Sequence, residues 1–355
     1  EDLRYVEKCL NNSSKNNFKA LLNYTRKVID GKRLFCSDIK PPQVLPHDGF
    51  FHIGEGSLFE SLKDYQSYRL NNKLHHPKAP KICFLTSTAG PDSEHIQAVI
   101  SEFEESGINM YPIFGFRKRL DFIRQVSPDM VILMPHGRFT TDKDNEVIDY
   151  LKTRNIPLLC PINIHKPYSV WLKDQRGMDG GIMSQSVIMP ELDGGIIPFV
   201  LSAQFKNDRG LYVFKPLPDR IKRFASMSRK YLKLKTMKNK DKKLAIVYYK
   251  GPGQNSLNAA GLEVVPSLFN TLQNLKKAGY DTGELPETAD LLARDIQAKA
   301  PVFNPYAKGS ISRYIKKSKP VEVAATTYKE WALSAFPDDL YADVVKRYGE
   351  APGPY

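Results

Sequence analysis

The sequence predicts an α/β protein built around a parallel sheet of the Rossmann-like or flavodoxin-like type. Between residues 81 and 161, short apolar runs of strand length alternate with amphipathic stretches of about ten residues, which is helix length. Such alternation requires crossover connections, and these produce a parallel sheet with helices on both faces. The chain has 355 residues, of which 41% are hydrophobic and 26% charged, so its composition is globular and its length allows more than one domain.

The elements of this central domain follow one another regularly. Strands are predicted at 81–86, 109–114, 130–134 and 156–161, because each is a continuous apolar run that suits burial on both faces. Helices are predicted between them at 95–106, 120–125 and 146–154, where apolar residues recur at helical spacing. Ligands of open α/β sheets bind at the carboxyl ends of the strands, so the loops that follow the strands are the expected location of a site.

Different elements are predicted on either side of this domain. The N-terminal helical segment carries helices at 17–29 and 58–68. A second α/β unit begins with a strand at 243–249 and a helix at 261–278 that Gly279 ends, followed by helices at 288–299, 328–336 and 340–348. No later strand completes its sheet, so we expect this unit to be incomplete and the chain to be part of a longer one. The predicted domains are 1–78, 79–214, 215–242 and 243–355.

The positive charge of the chain is concentrated in one segment. There are 52 Lys and Arg residues against 39 Asp and Glu, a net charge of +13, and 13 of the basic residues lie at 215–250 beside only Asp219 and Asp241. Apolar residues such as Ile221 and Phe224 recur there at helical spacing, which predicts a helix with one buried and one solvated face. We therefore expect a basic connector between domains and no nucleic-acid partner, since a stacking platform needs more aromatic side chains.

Neither a membrane span nor an export signal is predicted. No apolar run reaches the roughly 18 residues that a spanning helix needs, and the first residues are charged. We expect a cytoplasmic or membrane-associated protein. Its four cysteines, Cys9, Cys36, Cys83 and Cys160, are far apart and lack zinc-ligand spacing, so they are expected to be free thiols that are mostly buried.

Two carboxylates lie close together in the segment Pro190-Glu191-Leu192-Asp193-Gly194-Gly195. The glycine pair after Asp193 permits a turn with positive φ, which can direct acidic side chains into a cleft. Carboxylates placed there could accept protons or bind hard divalent cations. An ordinary Asp-Gly turn with solvated acids explains the same residues, so the local sequence leaves both interpretations open.

Two histidines and one polar turn also follow predicted strands. His136 lies in Met134-Pro-His-Gly-Arg138 and His165 in Asn163-Ile-His-Lys-Pro167. A neutral imidazole at such a strand end could bind a metal ion or carry a proton, although a hydrogen-bonded structural histidine fits each position as well. Beyond the strand of the second unit, Asn255 and Ser256 could contact a carboxylate, or could simply cap the helix that follows.

Several longer motifs together resemble one family. In chain order they are Met189-Pro-Glu-Leu-Asp-Gly-Gly-Ile-Ile-Pro198, the basic helix, Asn258-Ala-Ala-Gly-Leu-Glu-Val-Val-Pro-Ser-Leu-Phe-Asn-Thr-Leu272, Gly279-Tyr-Asp-Thr-Gly-Glu-Leu-Pro286 and Arg347-Tyr-Gly-Glu-Ala-Pro-Gly353. This order resembles that of the CobN and magnesium chelatase H superfamily, the large subunits of class I chelatases. The resemblance covers residues 80–353. Members of the superfamily are much longer than this chain.

The resemblance implies binding of haem or another tetrapyrrole and the insertion or removal of a divalent metal ion, which is iron, cobalt or magnesium. It also implies that Glu191 is the acid that lines the active-site cavity. A carboxylate suits this position chemically, since metal exchange in a porphyrin moves two pyrrole protons. Asp193 would then be a supporting, substrate-binding residue. We add the hypotheses that His136 acts with Glu191 at the metal and that His165, Asn255 and Ser256 contact the substrate.

One departure from the family pattern bears on the metal. Biosynthetic members carry a segment close to Pro-Pro-x-Lys-Gly-Asn-x-Gly-Thr-Ala-Ala, where this chain has Tyr249-Lys-Gly-Pro-Gly-Gln-Asn-Ser-Leu-Asn-Ala-Ala260. CobN-like paralogues of haem-uptake systems, which the resemblance associates with iron removal from haem, fit this sequence at least as well. We therefore favour haem iron removal over cobalt or magnesium insertion, with a reductant, or ATP hydrolysed by AAA+ subunits, supplied by partners that include haem-uptake proteins.

Two other classes of function stay open at this stage. A non-catalytic tetrapyrrole carrier or sensor would keep the pocket but would need no proton acceptor. A sugar- or nucleotide-binding α/β module would bind no porphyrin.

Overall fold

The computed structural model of the protein describes residues 1–12, 14–32, 34–54, 57–87, 93–134, 137–140, 144–248, 261–299, 312, 316, 321–336 and 338–351. The chain divides into two compact units, Glu1–Thr236 and Met237–Tyr355. All the strands that pair into sheets in the described residues belong to the first unit. The first unit is therefore α/β, whereas the described part of the second unit is helical.

Two sheets form the framework of the first unit. Their strands are β1 Gly49–Phe51, β2 Leu58–Phe59, β3 Lys81–Thr86, β4 Asn109–Phe114, β5 Met130–Leu133, β6 Leu158–Leu159, β7 Ile162–Pro167, β8 Gly195–Ile196, β9 Val200–Lys206 and β10 Tyr212–Pro216. The main sheet has the order β2-β1-β4-β3-β5-β6-β8, and a smaller sheet has the order β10-β9-β7. In the main sheet β3 runs parallel to both neighbours, so that Ile82 lies opposite Met110 and Met130.

The parallel part of the main sheet has a flavodoxin-like strand order. From β4 to β8, each neighbouring pair is parallel, and the first of these strands in the chain, β3, lies between the second, β4, and the third, β5. This 2-1-3-4-5 order is that of flavodoxin-like folds. The prediction of a Rossmann-like or flavodoxin-like α/β domain is confirmed. The antiparallel strands β1 and β2, which the sequence analysis had missed, extend the sheet beyond β4.

Ten α-helices accompany these strands in the first unit, counting only the described residues. They are α1 Asp2–Asn11, α2 Lys15–Tyr24, α3 Leu62–Asn71, α4 Glu94–Glu105, α5 Arg119–Val126, α6 Asp144–Thr153, α7 Tyr168–Trp171, α8 Gly180–Met183, α9 Met189–Leu192 and α10 Pro218–Thr236. Wider π-helical turns continue α2 at Thr25–Ile29 and join α8 to α9 at Ser184–Ile188.

The main sheet is buried on both faces. Along β3, Ile82 and Phe84 belong to one apolar cluster that includes residues of α4 and α10, whereas Cys83 and Leu85 belong to another that includes residues of α5 and α6. Successive side chains of a strand point to opposite faces. Burial on both faces therefore explains why the strands read as unbroken apolar runs and not as an alternating pattern.

Two of the predicted elements of the first unit need correction. The helix predicted at 58–68 begins only at Leu62, because the Ser61 hydroxyl caps it by accepting from the Asp64 N–H, and Leu58 and Phe59 form β2 instead. The strand predicted at 156–161 is reduced to β6. Pro161 has no N–H to donate to a ladder, and the chain beyond it joins the smaller sheet as β7, where it pairs in parallel with β9.

The basic helix α10 lies in the first unit. Its apolar side, which includes Ile221, Phe224 and Leu232, is buried in the cluster that covers one face of the main sheet. The Phe224 ring meets the Phe103 ring of α4 edge-on, with centroids 6.2 Å apart. Lysines such as Lys233 lie exposed on the other side. The predicted role of 215–242 as a connector between domains stays a prediction.

The second unit is helical in its described residues. Its helices are α11 Val264–Lys277, α12 Ala289–Lys299, α13 Ala325–Ala335 and α14 Asp338–Tyr348. Gly279 ends α11 as predicted: it has a φ of +83°, its N–H binds the Lys276 carbonyl, and the Tyr280 N–H binds the Leu275 carbonyl. The strand predicted at 243–249 is wrong for the described part, because 243–248 is irregular and pairs with no strand.

Two expectations about the whole chain can also be compared with the structure. Among the described residues, no helix combines the length and the apolar character needed to cross a bilayer. All four cysteines are free thiols, and Cys9, Cys83 and Cys160 are buried, as the sequence predicted.

Candidate functional site

The carboxyl edge of the main sheet, where β3, β5 and β6 end, is the expected binding edge of this fold. In a flavodoxin-like order the crevice lies between the first and third parallel strands, where successive connections leave in opposite directions. Here those strands are β3 and β5. The loop that follows β5, described at 137–140, and the helical segment 184–192 meet at this edge, since the Gly137 N–H binds the Gln185 carbonyl at 3.0 Å.

A buried arginine holds the strand ends together at this edge. The guanidinium of Arg119 donates to three backbone carbonyls: Nε to Gly115 at 2.9 Å, Nη1 to Phe139 at 2.7 Å and Nη2 to Thr86 at 3.0 Å. These carbonyls follow β4, follow β5 and end β3. Burial lowers the pKa of Arg119 to about 10, with the Asp48 carboxylate acting in the opposite direction. The side chain therefore stays charged at neutral pH and holds the ends of β3, β4 and β5 together.

Asp193 forms a buried ion pair with Arg138 at the same edge of the sheet. Its carboxylate is fully buried, and it accepts from Arg138 Nη2 at 2.6 Å and from Arg138 Nε at 3.0 Å. A third donor, the backbone N–H of Phe139, lies 2.7 Å from the second carboxylate oxygen. The Arg138–Asp193 pair thus ties the loop after β5 to the end of α9. Both carboxylate oxygens of Asp193 therefore accept hydrogen bonds from Arg138 or Phe139.

The two glycines after Asp193 differ in what they require. Gly194 has a φ of +87° with open space around it, so only its backbone conformation favours glycine. At Gly195, a Cβ would lie 2.6 Å from Cys160 Sγ and 2.8 Å from the Pro190 carbonyl oxygen. Side chains are excluded there because β8 runs against β6. Ile197, two residues on, has a φ of +61°, which is a strained conformation for a β-branched residue.

Glu191 lies on the exposed side of the same segment. It belongs to the short helix α9, in which Pro190 is buried while Glu191 is exposed. Ile188, Met189 and Leu192, around it in the sequence, are also exposed to a large extent. The two acids of the Pro-Glu-Leu-Asp-Gly-Gly motif therefore differ in exposure. Asp193 is buried in its ion pair with Arg138, whereas Glu191 is exposed among apolar side chains.

The amino-acid sequence of this chain matches a known protein family. A family model described as CobN/Magnesium Chelatase matches residues 7–355. The chain belongs to this family. The resemblance that the motifs had indicated is thereby confirmed, and it extends further toward the N-terminus than the motifs did.

Individual members of the CobN/magnesium chelatase family are similar over most of this chain but are much longer. An uncharacterized protein of Methanocaldococcus jannaschii is 23% identical over 95% of this chain and 29% of its own length. The chloroplastic magnesium-chelatase subunit ChlH of Oryza sativa subsp. japonica is 26% identical over 73% and 20%. The aerobic cobaltochelatase subunit CobN of Sinorhizobium sp is 20% identical over 92% and 26%.

A solved structure supports the same fold. The catalytic subunit of cobaltochelatase from Mycobacterium tuberculosis superposes with a TM-score of 0.69 at 19% identity, over 99% of this chain and 28% of that one. At this identity the match supports the fold alone. The chain spans less than a third of the length of each of these relatives.

The histidines are placed differently from the sequence-based expectation. His165 lies within β7 of the smaller sheet, where it is exposed and meets the Phe214 ring edge-on at 4.9 Å. His95, at the start of α4, approaches the same ring at 5.5 Å. Burial lowers the pKa of His95 to about 4, so its imidazole is neutral at physiological pH. The sequence analysis had treated His95 only as the start of a helix.

Three of the predicted site residues, His136, Asn255 and Ser256, lie outside the described residues. Among all the residues that the structure describes, no group of three or more His, Cys, Asp or Glu side chains is arranged to hold a metal ion. The roles suggested for Glu191, Asp193, His165 and His136 stay predictions. Arg119 and Arg138 were missed, since nothing in the sequence pairs Arg138 with a carboxylate 55 positions away.

Proposed function

We propose that this chain is part of a tetrapyrrole chelatase large subunit, which binds a porphyrin- or corrin-type ring and exchanges its central metal ion. The observation that carries the proposal is the CobN/Magnesium Chelatase match over residues 7–355. Related chains are named as magnesium-chelatase and cobaltochelatase subunits. The carboxyl edge of the sheet, with its exposed acid, supplies a location for the chemistry.

Glu191 is the proposed proton acceptor. A metal ion can replace the two pyrrole protons of a free-base ring only if a group takes up those protons, and a carboxylate within hydrogen-bond reach can do so. The exposed apolar side chains of Ile188, Met189 and Leu192 form a surface suited to the flat apolar ring. A ring lying on this surface would exclude water from Glu191 and make its carboxylate a stronger base.

The Arg138–Asp193 pair is proposed to position this acid. It fixes the C-terminal end of α9, two residues beyond Glu191, to Arg138 and Phe139 of the loop after β5. A proton acceptor must be held within a fraction of an ångström of its working position to be effective. In this proposal Asp193 supports Glu191 indirectly, by holding the backbone, and takes no proton itself.

The metal and the direction of exchange are narrower proposals. The names of the relatives favour insertion of magnesium or cobalt. We include AAA+ partner subunits that hydrolyse ATP in this proposal, because the resemblance to class I chelatases implies them. Iron removal from haem, with a reductant and haem-uptake partners, is the more specific hypothesis that the divergent segment 249–260 suggested. The two predict opposite spectral changes: insertion converts a free-base spectrum into a metallated one, and removal does the reverse.

The test uses the full-length protein and the Soret absorption band. The protein is titrated anaerobically with protoporphyrin IX and with haem. It is then given either Mg²⁺ or Co²⁺ with ATP and the AAA+ subunits of the same organism, or a reductant. Glu191→Gln is compared with Glu105→Gln, a second exposed acid, which lies at the end of α4 and at the opposite edge of the sheet.

We expect ring binding by all three proteins and a loss of turnover of about 100-fold or more in Glu191→Gln alone. Full activity of Glu191→Gln would refute its assignment as proton acceptor. Binding without turnover under any condition would identify a carrier or sensor. The absence of any spectral change with either tetrapyrrole would refute the proposed function.

A further inference from the structure

The outer side of helix α10 carries a row of positive charges. Its inner side is buried in the apolar cluster that covers one face of the main sheet, and this packing fixes which side faces outward. At about 100° per residue, five exposed cations fall within about 120° of the helix circumference and extend over about 17 Å. We call these side chains the basic face: Lys222, Arg223, Arg229, Lys230 and Lys233.

The described part of the chain supplies no negative charge to the basic face. Among the described residues, no Asp or Glu carboxylate lies within 4.0 Å of any of its five charged groups. Arg229 donates to an uncharged group, the Ser106 hydroxyl, at 2.6 Å. Other exposed cations of the first unit do meet an acid, as Arg124 meets Glu146 at 3.1 Å. The basic face is therefore a charged surface that is not neutralised.

The chemistry of an isolated helix does not account for this arrangement. Lys233 follows Arg229 by four residues and Lys230 by three, so like charges are neighbours on the helix surface and repel each other. The helix dipole favours cations in the last turn, but Lys222 and Arg223 lie in the second turn, toward the positive end. An anionic surface outside the helix would convert this repulsion into attraction.

We infer that the basic face is a docking surface for an acidic face of a separate partner protein. Asp and Glu side chains distributed over about 17 Å of the partner would pair with the whole basic face. A second copy of this chain suits this role poorly, because its net charge of +13 repels an identical molecule at long range. The inference is independent of the proposed chelatase activity.

Two other anionic surfaces fit the structure less well. A helix that binds a membrane lays its apolar side in the lipid, but in α10 that side packs on the main sheet. Of the large apolar side chains of α10, only Leu234 is exposed, at 45%. A single-stranded nucleic acid needs exposed aromatic side chains for stacking, whereas Phe224 is buried and Tyr231 half-buried. The experiment includes both alternatives.

Carbodiimide cross-linking tests the inference on the full-length protein in a lysate of the source organism. The reagent joins a lysine directly to a carboxylate, and mass spectrometry then identifies both peptides and therefore the partner. The purified partner is titrated with the wild type and with two variants, in which the three lysines of the basic face are replaced together by Glu or by Gln. Phosphatidylserine vesicles and a short DNA duplex are titrated in the same way.

A matched control has the same change of charge at other places on the first unit. Lys8→Glu, Lys63→Glu and Lys152→Glu are combined in one variant, because these lysines are exposed on α1, α3 and α6. Circular dichroism checks that every variant is folded. The Gln variant, which introduces no repulsion, keeps the test decisive if the Glu variant does not fold.

We expect cross-links from lysines of the basic face to Asp or Glu side chains of another protein. The affinity for that protein should fall about 100-fold or more in the Glu variant, less in the Gln variant and less than about threefold in the control. Added NaCl should weaken wild-type binding, because exposed ion pairs are screened.

Three results would overturn the inference. The first is the absence of cross-links from the basic face, or cross-links that join it only to this chain or to another copy of it. The second is an equal loss of affinity in the control variant. The third is tighter binding of the vesicles or of the DNA than of the partner protein, which would assign the basic face to a membrane or to a nucleic acid instead.

Discussion

Removal of the Arg138 side chain should destabilise the first unit more than neutralisation of its partner does. In Arg138→Met, the fully buried carboxylate of Asp193 keeps only the Phe139 N–H as a donor and cannot reach water. Breaking a buried ion pair in this way costs about 3–5 kcal/mol, because an uncompensated charge stays buried. In Asp193→Asn, the new side-chain oxygen can still accept from Phe139, and Arg138, 28% exposed already, can turn toward solvent. We expect this change to cost about 1–2 kcal/mol.

The assay is urea unfolding of the wild type, the two single variants and the double variant. The double variant should be more stable than the sum of the single costs predicts, by about 2 kcal/mol, because it no longer buries a lone anion. Lys222→Met, which removes an exposed charge on the outer side of α10, should change stability by less than about 0.5 kcal/mol and serves as the control. Equal costs for the two single variants, or strict additivity, would refute the view that the pair is buried and asymmetric.

Three further predictions follow from the same edge of the sheet. Gly195→Ala should lower stability by about 1–3 kcal/mol, because its Cβ would meet the Pro190 backbone and Cys160. Gly194→Ala should cost about 1 kcal/mol, because only its positive φ disfavours alanine. Thermal unfolding of both variants measures the difference, and equal effects would contradict the packing argument. Because burial lowers the pKa of His95 from 6.5 to about 4, the unfolded chain binds a proton that the folded chain does not between these values. Stability should therefore fall as the pH drops from about 6.5 to 4, by up to about 3 kcal/mol, and His95→Gln should flatten that slope in urea titrations. Burial, with a contribution from the Asp193 charge, raises the pKa of the Cys160 thiol to about 12. Iodoacetamide at pH 8 should therefore alkylate Cys36 first and leave Cys160 unmodified until the protein unfolds. Rapid labelling of Cys160 in the folded protein would show that the carboxyl edge of the sheet opens.

The predictability of the fold followed from how each strand is buried. The strands at 81–86 and 109–114 were predicted to the residue, because burial on both faces leaves an unbroken apolar run with sharp ends. The same pattern misled at 243–248, where no described strand pairs with the run. An apolar run indicates that a segment needs apolar neighbours, but it does not indicate which residues supply them.

The candidate site was predictable as a segment and not as a geometry. The glycine pair after Asp193 predicted a turn with positive φ next to the two acids, and Gly194 has a positive φ in the structure. Asp193 is buried against Arg138, which lies 55 positions away in the sequence and meets it only through the tertiary fold. Arg119 was hidden for a similar reason: in the sequence it is one of three consecutive basic residues, yet it is buried beneath the strand ends.

By itself, the sequence determined the α/β class, the positions of most helices and of four of the ten described strands, the family, and the two acids on which a chelatase hypothesis rests. These properties are local, because periodicity, turn residues and motif order can be read from neighbours in the chain. The tertiary structure alone decided the flavodoxin-like strand order, the placement of the basic helix in the first unit, and the burial of Asp193 beside an exposed Glu191. Each of these depends on contacts between residues far apart in the chain, whose charges and surfaces meet only when the sheet is assembled.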